Sequence, residues 1–499
     1  MFNIIKLNDI DNVAVAAMNI PSGSNISPEL RSETYIPFGH KISLKEINKG
    51  DLIYKYGQII GIATEKIRQG SHIHSHNLAF HEFTRSYKKN LATKIPKFIN
   101  DKYFKGYQRK NGDVGTRNYI GLISTVNCSA TVVKKIADKL NKYLNENNFM
   151  NIDGAVCLKH SSGCGMNISG KGMNVFNRTI DGFKTHPNFG KVFVIGLGCE
   201  CAQISLYKNE NLNNEIEYLN IQDEGGTNSI INKVYKKIID EMHKLNLIER
   251  IDMPLSDLNL ALQCGGSDSY SGITANPALG IATDMLIQHG GSAILSETPE
   301  IYGAEHLLVE RTTEDKLINK LNDQISWWKK YTEINEGSLD NNPSPGNKKG
   351  GLTTILEKSL GAVAKSGHTE LVDVLDYGQK ISKKGFQFMD SPGYDPVSVT
   401  GQVASGANLI CFTTGRGSCF GFKPTPSLKI ATNTNMYNNL YEDMDINAGT
   451  IMDGIKSVEE VGRDIFDELI SVASGKKTKS EINDYGDDEF NPWVIGATM

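Results

Sequence analysis

Long apolar runs are missing from this chain of 499 residues. With them go the roughly 18–20 consecutive apolar residues that a membrane-spanning helix needs. A basic excess is missing too. Lys and Arg number 53 against 57 Asp and Glu, a net charge of −4, which argues against a nucleic-acid binder. The N-terminus, MFNIIKLNDIDNVAVAAMNI, carries Asp9 and Asp11 and lacks a basic start, an unbroken apolar core and a small-residue cleavage site. No secretory leader is expected from it, and a cytoplasmic location is. Cysteine is sparse, with eight residues and no CxxC pair. In a chain this long that is a set of reduced thiols, not a disulfide framework. Internal repeats are absent. Proline is scarce, 15 residues against 48 glycines, and the glycines sit in short turn motifs where backbone approaches closely.

What is present has a clear order. Residues 1–84 read as short strands: DNVAVAAMNI alternates up to Pro21, and DLIYKYGQIIGIATEKI alternates up to Gly70. Turn residues recur often enough for a small all-β module. A Lys- and Asn-rich stretch over 85–105 reads as a linker. From 106 the pattern changes to apolar runs followed by helical spacing, with YIGLISTV, GAVCLKH and KVFVIGLG as strands and a long charged helix over 228–245. A further unit begins near Asp252, with LNLALQC, AILSET, ELVDVLDY and NLICFTTG as strands. The expected fold class is α/β: a small all-β module, then two Rossmann-like units over 106–251 and 252–499, each a mostly parallel sheet covered on both faces.

Four cysteines each follow a strand-like run: Cys128, Cys164, Cys199 and Cys264. Ligands of open α/β sheets bind beyond the carboxyl ends of the strands, so these thiols are candidates for one metal ion or iron–sulfur cluster. SHIHSHN places His72, His74 and His76 at alternate positions, on one side if the segment is a strand, and imidazoles so placed suit iron, manganese or zinc. His160, at a strand end, and the His40–Lys41 pair, on a turn, are candidate proton carriers. Arg117, Lys348 and Arg416 are cations suited to a carboxylate substrate. Asn118, Thr274, Asn276 and Asn347 offer the donors and acceptors a polyol needs. Glu297 and Glu300 are acidic strand-end candidates. VIGLGCE has Gly196 and Gly198 but not the third glycine of a dinucleotide fingerprint, which speaks against an NAD-dependent dehydrogenase.

The stretches GYQRKNGDVGTRN, HSSGCG, VIGLGCE, QCGGSDSYSGITANP, NPSPGNKKGG, TTGRG and MDINAGT together resemble the altronate dehydratase and galactarate dehydratase family over nearly the whole chain. DNVAVA, GHK and KYG are similar to the family's N-terminal SAF (β-clip) domain. SHIHSHN resembles the altronate branch, whereas NPSPGNKKGG, GAVAKSG, VASG and MDINAGT resemble the galactarate branch more. The resemblance implies dehydration of D-altronate to 2-dehydro-3-deoxy-D-gluconate, with galactarate as the alternative substrate and a divalent metal, Fe²⁺ before Mn²⁺, as cofactor. Two metal models stand open: the strand-end thiols, or a site shared with His72 and His74. His160 or the His40–Lys41 pair would be base or acid. A homodimer is expected, and a non-catalytic sugar-acid binding protein is the reading from another class.

Overall fold

The computed structural model describes residues 3–82, 97–208 and 216–496. Residues 85–96 of the expected linker therefore lie outside the described residues. The rest of that linker runs into a strand, Tyr103–Gln108. This strand pairs antiparallel with Ile251–Pro254. Both expected unit boundaries, at 106 and 252, thus fall inside one three-stranded antiparallel joint, which Val114–Gly115 completes. The alternation there is too short to be told from a polar connection.

The N-terminal module is strand-rich. Val13–Ala16 is flanked by Ile4–Ile5 and Lys41–Ser43, and His72–Ile73 completes that antiparallel sheet. A second sheet holds Leu52–Lys55, Gln58–Ala63 and Leu78–Ala79. The run DLIYKYGQIIGIA is therefore a hairpin and not one strand. It reverses at Tyr56 and Gly57, with φ of 61° and 70°, the left-handed pair that matches the twist of a two-residue hairpin. The Asp11 carboxylate fixes the turn by accepting from the Gly57 N–H at 2.8 Å and the Tyr56 N–H at 3.2 Å. SHIHSHN is a strand only at His72–Ile73. The Asn77 side chain accepts from the His74 N–H and curls the chain into a turn.

The second unit is a parallel four-stranded sheet in the order Gly154–Leu158, Tyr119–Ser124, Phe189–Gly196, Ile216–Asn220. Every residue of Tyr119–Ser124 is buried, because both faces are covered, and this is why the segment reads as an unbroken apolar run. Ile120 and Leu122 face the helices Asn127–Glu146 and Thr227–Asn246. Tyr119 and Ile123 face the side of Lys171–Lys184.

The C-terminal unit is a seven-stranded parallel sheet. Asn259–Cys264 lies at its centre, between Ser292–Leu295 and Leu409–Thr414. Helices Ala275–Gln288 and Val458–Ala473 cover one face. Asp395–Ala404 covers the other and packs on Lys171–Lys184 of the second unit. The core over the first face continues into the N-terminal module, joining Leu260, Leu279 and Leu360 to Ile53, Ile60 and Leu78. Among the described residues no helix is long and apolar enough to cross a membrane.

Candidate functional site

The carboxyl edge of the seven-stranded sheet gathers charged groups that water does not reach. Cys264 ends the central strand, and Gly266, at φ 59°, turns the chain away from it. The buried Cys264 Sγ lies 2.7 Å from Lys365 Nζ and 3.9 Å from Glu300 Oε2. Glu300 Oε1 accepts from Lys358 Nζ at 2.5 Å and from Asn342 Nδ2 at 2.7 Å. Glu297 follows the next strand in a left-handed conformation, φ 75°. It is buried, and its Oε1 has no hydrogen-bond partner. Asp395 opens the helix Asp395–Ala404 beside them.

The charge balance of this pocket is uneven. Three carboxyls and a thiol face two ammonium groups, Lys358 and Lys365. Lys358 pairs with Glu300 and Lys365 lies against Cys264, so Glu297 and Asp395 have no ammonium group of their own. Burial accordingly pushes Glu297 well above the usual carboxylate range, with Glu300 adding to the shift. Burial and Glu300 together push Asp395 up to about 7. Cys264, Glu297 and Glu300 also bring one ligand atom each within 4.8 Å of one another. A thiolate and two carboxylates in that arrangement can hold a divalent cation.

The N-terminal module forms the opposite wall. Lys41 and Lys55, both fully buried, each reach Glu357 at 2.8 Å. Lys41 Nζ also donates to the Gly351 carbonyl, and Lys55 Nζ to Ser269 Oγ. Two cations hold Glu357 well below the carboxylate range, against its own burial. Burial and the neighbouring Lys55 draw Lys41 down to about 8. Above this triad the rings of His40, His72 and His74 stack, with His40 Nδ1 2.9 Å from His72 Nε2. Burial keeps them neutral, with His40 lowered to about 4 and His72 to about 3.

The segment 342–351 joins the two walls. Ser344 and Asn347 cap its short helix reciprocally. Asn347 Nδ2 donates to the Ser267 carbonyl, Asn342 reaches Glu300, and the Lys348 and Lys349 carbonyls meet His74 and His40. A tight cavity between the walls is lined by Tyr56, Asp268, Ser271, Glu357 and Lys358. Asn276 also lines it, with its amide already engaged by the Gly361 carbonyl and Thr413. Thr274 is spent on the Tyr270 and Thr432 carbonyls. Arg416 is exposed on the rim, its N–H bonded to the Gly266 carbonyl.

Other candidates stand apart. Cys128, Cys164 and Cys199 are exposed on the second unit, whereas Cys264 is buried in the C-terminal unit. The four do not form one set, because two separate sheets supply the strand ends. His72 and His74 join His40 and not the thiols. His160 is buried against Phe176 and Phe490. Its Nε2 donates to the Ser124 carbonyl and its Nδ1 accepts from the Ser162 N–H, so both nitrogens serve the fold. Arg117 is buried and forks onto Glu481 at 2.6 and 2.8 Å, and Asn118 bonds the Asp153 carboxylate and the Asn151 carbonyl. Arg117→Ala should cost about 3–5 kcal/mol of stability, since it strands a buried carboxylate. The KM of the folded fraction should stay within about twofold. Urea melts and steady-state kinetics check both, and a KM rise without loss of stability would return Arg117 to the substrate.

Lys358, Lys365, Glu357 and Asp395 were not readable as site residues. The one available signal is LEKSLGAVAKS, a helical window whose charges sit among small and apolar neighbours. All nine residues of Ile355–Val363 are buried, and charged residues in such a helix are rarely there without partners.

Three family descriptions match the chain in order: the altronate/galactarate dehydratase SAF domain over residues 2–81, the D-galactarate dehydratase/altronate hydrolase second domain over 106–246, and the D-galactarate/altronate dehydratase C-terminal region over 255–498. The chain is 38% identical to galactarate dehydratase (L-threo-forming) of Escherichia coli (strain K12), covering 95% of this chain and 93% of that protein. It is 35% identical to altronate dehydratase of Bacillus subtilis (strain 168) over the full length of both. The beta subunit of (2R)-sulfolactate sulfo-lyase of Chromohalobacter salexigens is 28% identical over 77% of this chain.

Proposed function

This chain belongs to the altronate/galactarate dehydratase family and is a hydro-lyase, and from that premise we propose that it dehydrates D-altronate to 2-dehydro-3-deoxy-D-gluconate in the pocket between its first and third units. The observation that carries the reading is the set of buried carboxyls, Glu297, Glu300 and Asp395, gathered around Cys264 beside Lys358 and Lys365. Dehydration needs two proton carriers. One takes the weakly acidic proton from the carbon next to the carboxylate, and the other gives a proton to the departing hydroxyl. Asp395, its carboxyl pushed up by burial and by Glu300, is the donor. The acceptor comes from the His40–Lys41 pair at the other wall. His40 has both ring nitrogens engaged, by the Lys349 carbonyl and by His72, so Lys41, drawn down to about 8 by burial, takes the proton. Lys358 lines the cavity between the walls, which at about 10 Å³ has to widen before a six-carbon acid can enter it.

The resemblance also implies a divalent metal, Fe²⁺ before Mn²⁺. Cys264, Glu297 and Glu300 fit it: they are a thiol and two carboxyls with ligand atoms close together, and the buried Glu297 Oε1 is unpartnered. A cation there would act as a Lewis acid on the carboxylate and hydroxyl oxygens. Galactarate is the second substrate reading, favoured by the 38% identity to the galactarate enzyme. We also read the two α/β units as Rossmann-like, on the reversal of strand order in each sheet. Eight free thiols suit a reducing cytoplasm, and a homodimer is the assembly expected for an enzyme of this size.

The test is keto-acid release from altronate, galactarate and glucarate, with protein prepared without oxygen and then treated with a chelator. Altronate should be turned over fastest, and activity should fall at least about tenfold on chelation and return with Fe²⁺. Turnover of none of the three acids would sink the reading. Activity untouched by chelation would remove the metal from it.

A further inference from the structure

The three exposed thiols of the second unit occupy a place that the pocket above does not explain. Cys128 lies in the first turn of Asn127–Glu146, straight after the strand Tyr119–Ser124. Cys164 follows Gly154–Leu158, and Cys199 follows Phe189–Gly196. Those two strands flank Tyr119–Ser124 on either side, all parallel. Three neighbouring strands therefore each deliver one thiol to the same carboxyl edge, where α/β sheets bind ligands.

The loops that carry them are tied together. The Asn127 N–H donates to the Ser162 carbonyl at 3.0 Å, and the Ala202 N–H to the Gly163 carbonyl at 3.1 Å. The Asn127 side chain reaches the His160 carbonyl, and Thr125 Oγ1 reaches Glu200 at 2.6 Å. Gly163 is wedged so tightly that a Cβ would stand 2.1 Å from the Thr125 carbonyl oxygen. His160, unused by the chemistry, is the pin under this arrangement. Gly163 and Gly165 bracket Cys164 at φ 98° and 66°, and Gly198 precedes Cys199 at φ 127°. Such turns aim backbone N–H groups at bound anionic sulfur. Gln222 Nε2 already donates to Cys199 Sγ at 3.7 Å.

We propose that Cys128, Cys164 and Cys199 hold a [4Fe–4S] cluster, one thiolate on each of three irons, with the fourth iron facing solvent. Two observations favour a cluster over a single ion. Among the described residues, only Cys264, Glu297 and Glu300 bring such ligand atoms within 4.8 Å of one another, so at least one pair of the rim sulfurs is farther apart than that, beyond the roughly 3.8 Å spacing set by zinc–sulfur bonds of about 2.3 Å. A structural zinc site also needs a fourth protein ligand. His160 has both nitrogens engaged, and Cys201 packs against the apolar core. Each thiol gives up its proton on binding iron. This centre is independent of the Cys264 pocket, so its test does not read keto-acid release.

The full chain is purified without oxygen and reconstituted with ferric iron, sulfide and excess dithiothreitol. The dithiol supplies the two electrons that take four ferric ions to the [4Fe–4S]²⁺ core. The expected result is brown protein with about four iron and four acid-labile sulfide per chain, and a paramagnetic signal after dithionite reduction. Cys128→Ser, Cys164→Ser and Cys199→Ser should each remove most of the colour and sulfide while melting as the parent does, since all three side chains are exposed. Cys419→Ser, at an exposed thiol of the other unit, should keep them. Sulfide content unchanged in the triple variant overturns the proposal. So does stoichiometric zinc without sulfide, or no incorporation at all.

Discussion

Asp395→Asn is expected to lower kcat for keto-acid release by about 10²–10⁴-fold, the range for loss of a positioned proton donor. The change is nearly isosteric, so the helix it opens should still form. The pH profile separates this from a packing effect. With its carboxyl pushed up to about 7, Asp395 carries its proton below that pH and loses it above. Wild-type kcat should therefore fall as pH rises through the Asp395 titration, and the variant should lose that limb. The same shift makes the folded protein bind a proton that the unfolded chain has released between the ordinary Asp range and about pH 7. This stabilisation is complete at low pH and fades as pH rises through that window. A variant with full kcat and an unchanged profile would take Asp395 out of the chemistry.

Glu357→Ala is expected to be the most destabilising single change at the module seam. It removes the carboxylate that Lys41 and Lys55 share and leaves two ammonium groups, 0% and 1% exposed, with no anion. Breaking a buried pair from one side costs about 3–5 kcal/mol, and here two cations are stranded. Urea denaturation at neutral pH measures it, and a loss under about 1 kcal/mol would mean that water enters the seam. Glu357 carries a depressed folded pKa. Its stabilisation is present above the ordinary Glu range and is lost as pH falls towards the folded value, so the gap between wild type and variant should narrow in acid. Lys41→Met in the Glu357→Ala background should recover part of the loss, because it removes one of the stranded charges.

The strands of both α/β units could be read from the sequence because parallel strands buried on both faces print as unbroken apolar runs. YIGLISTV and NLICFTTG are examples. Cys264, Glu297 and Glu300 were visible because they sit where those runs stop. The same rule misled for the thiols as a set. It marks the end of a strand but not the sheet that owns it, and Cys264 belongs to a different sheet from the other three. Lys358 and Lys365 were hidden for the opposite reason. Charges spaced along a helix look like a solvated face, and only the closure of the N-terminal module over Ile355–Val363 makes them interior. Arg117 looked like an anion clamp because its partner, Glu481, is distant along the chain. The hairpin at Tyr56–Gly57 was missed because Tyr is an unusual residue for a left-handed turn position, held there by Asp11.

The apolar core that runs without a break from Leu260 to Ile53 has a bearing on how the first and third units stay together. Beside the polar cavity, their contact is a shared apolar core and a buried ion triad, of the kind that joins permanent subunits. The covalent connection between them therefore raises local concentration during folding and contributes little afterwards. In assembly terms the protein behaves as a complex whose partners happen to be encoded as one polypeptide.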